Sequence, residues 1–122
     1  MPHMVAGSTY RQNPIVAAFL SGADQCTDLD PAQIRETGIN EPLINWHAID
    51  GDLALAGIRA SDGWADYASD RALSRYSRWL RETQGLSVLP ASTAGLHALL
   101  ARHARDPLPA DRYVAVLTGR KV

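Results

Sequence analysis

Two short strand-like runs, residues 4–9 and 64–68, are each followed within a few residues by a helix-capping residue and then by a helical pattern. This strand–cap–helix repetition constrains the fold more than any other feature. A strand that exits into a helix meets its next neighbour after a crossover, and that neighbour runs parallel to it. After the first run, Asn13 can cap, Pro14 suits the first turn, and Gly22 stands just past the end. After the second, Ser69 caps a helix whose inner stripe is Leu73, Tyr76 and Leu80, with Arg71, Arg75, Arg78 and Glu82 facing water. Gly85 is its left-handed stop. Asp30-Pro31-Ala32-Gln33 starts a brief helix that Gly38 ends. Ile49, Leu53, Ala56 and Ala60 recur at helical spacing and predict an inner stripe, closed by Asp62-Gly63. Pro90-Ala91-Ser92-Thr93 opens a last helix with Leu96, Leu99, Leu100 and His103 on its face. Tyr113 to Thr118 reads as a buried strand ended by Gly119. The expectation is one α/β domain over residues 1–122, with a small, mostly parallel sheet of three to four strands layered with helices.

Charge narrows the partners. Twelve basic residues stand against 13 acidic ones, so no bulk field favours nucleic acid or an anionic membrane. No apolar run approaches the roughly 20 residues of a membrane span, and the start has no signal-peptide pattern. The default expectation is a cytoplasmic protein. A single cysteine, Cys26, excludes an internal disulfide, and Asp24 and Asp28 beside it should raise its pKa. His3, His47, His97 and His103 have no metal-ligand spacing. Eleven of the cations are arginines; the one lysine is Lys121.

Six segments, in order, resemble the C-terminal region of fold type II pyridoxal-phosphate enzymes of the threonine synthase kind. Residues 4–19, with Asn13-Pro14-Ile15-Val16, are similar to the strand and helix after that family's phosphate loop. Gly38-Ile39-Asn40-Glu41-Pro42 resembles the loop that passes the cofactor ring. Residues 54–63 are similar to a helix end of the form AL-x-x-I-R-x-S-x-G, and Ser69-Asp70 to the helix start that follows it. Residues 84–94, with Pro90-Ala91-Ser92, are similar to a segment E-G-I-x-x-E-P-A-S-A-A, and Val116-Leu117-Thr118-Gly119 to V-L-T-G. Together they reach nearly from end to end. Each is common alone; their order carries the resemblance.

The resemblance implies that the Thr118 hydroxyl meets the cofactor's ring nitrogen, with Gly119 beside it, and that Ser92 lines the site at a helix start. Without it, Thr118 simply ends a strand and Ser92 simply caps a helix. It also implies what is missing. The family's Schiff-base lysine and glycine-rich phosphate loop lie in a part absent here, and Lys121 does not align with that lysine. Arg35-Glu36-Thr37 puts long charged side chains where relatives carry small residues, and the chain ends at Arg120-Lys121-Val122, short of the family's usual tail. No residue is therefore assigned as catalytic, and pyridoxal phosphate is expected only if another chain complements this one. The expected function is the C-terminal part of a threonine synthase-like lyase or synthase of amino-acid biosynthesis, inactive alone. The alternative is a stand-alone degenerate domain acting as a protein-binding or assembly module. Both expect a homo-oligomer or a partner chain, because a small sheet leaves open edges.

Overall fold

The computed structural model describes residues 2–121; Met1 and Val122, the latter part of the tail noted above, lie outside them. Strand β1 (Val5–Thr9) leads to helix α1 (Pro14–Ser21). After two 3-10 turns come α2 (Gly51–Ala60), β2 (Trp64–Ala68) and α3 (Asp70–Gln84); a third 3-10 turn, Pro90–Thr93, opens α4 (Ala94–Arg105). The architecture is α/β. β1 and β2 pair in parallel with Val5 opposite Trp64 and Thr9 opposite Ala68.

Local chemistry explains the helix ends. The Asn13 side chain accepts from the Ile15 and Val16 N–H groups, Pro14 takes the first turn, and Gly22 stops α1 at φ 75°. Ser69 Oγ accepts from the Ala72 N–H, and Gly85 stops α3 at φ 66°. The Asp30 start yields only a 3-10 turn, Pro31–Gln33.

Successive strand residues face opposite sides, so the two layers can be read from β2. Ala65 packs with Val16 and Ile58, placing α1 and α2 on one side. Ala68 packs with Leu73 and Ala94, placing α3 and α4 on the other. Trp64, 9 % exposed, donates its indole N–H to the Ala98 carbonyl at 2.9 Å.

Four expectations are corrected. The sheet has two strands among the described residues, not three to four. The segment 113–118 forms no strand, leaving Val114 86 % and Val116 73 % exposed. It has strand-forming residues but no neighbour to pair with; only its continuation does, where Arg120 forms an antiparallel bridge with Val88. In α2 the predicted stripe faces outward: Ile49 is 88 % and Leu53 75 % exposed, while Leu55 and Ile58 are buried. In α4 the buried face is Ala94 and Ala98, because the helix sits so close to β1 that leucine does not fit between them.

Candidate functional site

Parallel strands deliver their C-terminal ends to the same side, where chain reversals leave a crevice. Here β1 exits through Arg11, at φ 56°, and the buried Gln12. Residues 34–45 are fastened across this end. The Gln12 side chain accepts the Arg35 N–H, and the Gln12 carbonyl accepts the Asn45 N–H at 3.3 Å. Asn40, 3 % exposed, accepts from the Thr37 N–H at 2.7 Å and donates to the Arg35 carbonyl at 3.0 Å. Thr37 Oγ1 donates to Asp70 Oδ2 at 2.7 Å, tying the loop to the first turn of α3. Ile39 and Leu43 pack on Ala68, Leu73 and Ala94. The 3-10 turn Glu41–Leu43 then meets the turn Pro90–Thr93, which carries Ser92.

Ser92 and Gly119 are bonded directly. Ser92 Oγ accepts the Gly119 N–H at 2.7 Å, and the Leu89 N–H reaches the Gly119 carbonyl at 3.0 Å. A Cβ on Gly119 would stand 2.7 Å from Leu89 Cδ1 and 2.8 Å from Ser92 Oγ, so a larger residue here would push both side chains aside and disturb the Ser92 hydrogen bond. Thr118 is exposed and borders a concavity of about 440 Å³ with Leu86, Ser87, Leu117 and Arg120. The three residues expected at a site therefore lie together. Ser92 anchors the tail through Gly119, and α4 has no side-chain cap.

Ser92→Ala is expected to cost about 1–2 kcal/mol, the value of a lost hydrogen bond that strands a partly buried N–H. Hydrogen exchange of the Gly119 amide should accelerate while the β1 amides keep their protection, which mass spectrometry of peptides from both regions reports.

Pyridoxal phosphate does not fit the residues present. The concavity has no lysine in its lining. Lys121 joins Ser87 through its backbone N–H at 3.1 Å, and its side chain is exposed. Among the described residues no glycine-rich loop offers converging N–H groups to a phosphate.

Other chemistry-bearing groups are accounted for locally. No cluster of three metal-ligating side chains occurs among the described residues. His47 Nδ1 meets Asp28 at 2.6 Å, and His103 Nδ1 accepts the Leu108 N–H at 3.0 Å. Burial raises the Cys26 thiol pKa, with Asp52 adding to it; the carboxylate responsible is Asp52, whose Oδ1 accepts the Cys26 N–H, and not Asp24 or Asp28. A thiol shifted upward is a poor nucleophile at neutral pH.

His97 lies against Tyr76 with its Nδ1 buried and unpartnered among the described residues. Burial lowers its pKa, with Arg75 and Arg105 assisting and Asp66 and the Tyr67 backbone opposing. The unfolded chain therefore takes up this proton at higher pH than the folded one. The stability associated with neutral His97 is complete above the ordinary value of 6.5 and falls as the pH drops below it. His97→Phe should give a flatter dependence of the urea midpoint on pH between about 7 and about 5 than the parent protein shows.

Gln12 and Asn40 organise the site loop, yet spacing did not single them out. Asn40 lies within a segment that carries the resemblance, and nothing in the sequence marks Gln12 as buried. No family model and no curated protein matches the chain.

Proposed function

We propose that this chain is the C-terminal part of a threonine synthase-like pyridoxal-phosphate enzyme of amino-acid metabolism, completed by a second polypeptide. That partner would supply the lysine and the phosphate loop. The observation that supports the reading is the tail. Gly119 is held by Ser92 at the helix turn that faces loop 34–45, while residues 113–118 form no strand and leave Val114 and Val116 in solvent. Such a segment suits the sheet of a larger domain in which the missing strands would pair with it and cover it. On this reading the fold is a portion of the fold type II large domain, and its sheet grows when the partner docks.

Reconstitution tests this. The chain is mixed with the N-terminal part of a threonine synthase that carries the lysine and phosphate loop, and cofactor retention is read after gel filtration. Cofactor retained only by the co-eluting mixture, and retained less well with Thr118→Val, is expected. Co-elution without any cofactor retention would sink the proposal.

A second reading is a degenerate domain that has lost cofactor binding and works as an assembly module. What favours it is that the Ser92 hydroxyl is already engaged with the tail backbone and that apolar side chains remain exposed.

A further inference from the structure

Charge is unevenly divided along the chain. Residues 23–52 hold seven carboxylates, all exposed, against one cation, Arg35. Residues 71–121 hold nine cations against three carboxylates. The fold turns this division into two faces. Loop 24–30 folds back on the start of α2 through the Cys26 N–H to Asp52, at 2.7 Å, and the Leu29 N–H to the Trp46 carbonyl, at 2.8 Å. Asp28, Asp50 and Asp52 thus accompany Trp46, Ile49 and Leu53, which are 45 %, 88 % and 75 % exposed. On the other layer, α3 presents Arg71, Arg75 and Arg78 with Trp79, itself 45 % exposed. Arg75 and Trp79 are four apart and so are neighbours on the helix surface.

We propose that a second copy of this chain docks here, the acidic, apolar face of α2 in one molecule meeting the arginine–tryptophan face of α3 in the next. Three physical arguments choose this occupant. The faces are complementary in charge, and such complementarity sets orientation and encounter rate. Each offers large apolar or aromatic anchors, the residue types that dominate interface energies, ringed by charge. Both halves of the contact are carried by every molecule, on opposite sides of the sheet. Because the two faces differ, the association is head-to-tail and not self-paired about a twofold axis. It is independent of any cofactor.

Sedimentation velocity over a concentration series tests this with the intact chain and two double variants, Ile49→Ser/Leu53→Ser and Arg75→Glu/Arg78→Glu. All four positions are exposed or at the start of a helix, and unchanged urea midpoints verify folding. The parent protein should associate with rising concentration, and more weakly when salt goes from about 0.1 M to about 1 M, which shortens screening from roughly 10 Å to roughly 3 Å. Each variant alone should associate at least about tenfold more weakly, as when interface anchors are lost. Mixed in equal amounts, the two variants should form a complex that stops at two chains, since each retains one intact face. A parent protein that stays monomeric throughout would overturn the proposal. So would association indifferent to salt and to both variants, or variants that fail to pair on mixing.

Discussion

Replacing Gly7 with alanine is expected to remove a large part of the stability of this fold. Gly7 stands in β1 opposite Asp66, and a Cβ there would come within 2.0 Å of the Ala94 carbonyl oxygen and 2.9 Å of the Gly95 N–H nitrogen. Both are backbone atoms, so no rotamer change relieves the clash; α4 itself has to lift from the sheet. Its first turn follows directly on the Ser92 turn, so the anchor of the tail moves with it. Overpacking of this kind costs about 3 kcal/mol or more, against a total of roughly 5–15 kcal/mol for a domain. The urea midpoint measures it. Gly57→Ala is the control: nothing lies within 4 Å of a Cβ at that position in α2, and alanine should stabilise a helix there by about 0.5–1 kcal/mol.

Leu73→Ala should be nearly as damaging. Leu73 is 0 % exposed and joins β2, α4 and the site loop through Ala68, Ala94, Ile39 and Leu43. Truncation leaves a cavity that these neighbours fill only in part, at a cost of about 3–4 kcal/mol. The loss should be felt locally too, because Ile39 and Leu43 hold residues 34–45 across the strand ends. Amide exchange at Thr37 and Asn40 is expected to rise before the β1 amides lose protection. Leu53→Ala provides the contrast. Its side chain is 75 % exposed, and its removal should change the urea midpoint within about 0.5 kcal/mol.

What could be read from the sequence was what depends on neighbours in sequence. Asn13, Ser69, Gly22 and Gly85 act on backbone groups within a turn of themselves, and the structure places all four as expected. β2 also lies where its residues predicted. Features that depend on distant partners were not legible. In α2, Ile49-Leu53-Ala56-Ala60 and Gly51-Leu55-Ile58 are both helical stripes, and spacing alone does not say which one meets Val16 and Ala65. In α4, leucines look like the natural inner face, but the helix backbone at Ala94 lies directly against Gly7 and the buried residues are Ala94 and Ala98. Residues 113–118 have the composition of a buried strand, yet a strand is made by its neighbour. The hydrogen bond between Ser92 and Gly119 joins residues 27 apart and has no local signature, and neither have the buried amides of Gln12 and Asn40.

On the proposed function, this polypeptide would carry one wall of a cofactor site and not the means to hold the cofactor. Incubation of the purified chain with pyridoxal phosphate, borohydride reduction and mass spectrometry of its peptides test it most directly. The account predicts no stoichiometric reduced adduct, because Lys121 lies outside the concavity beside Thr118. A single adduct at Lys121, formed in proportion to the protein, would contradict it and show that the chain holds the cofactor by itself.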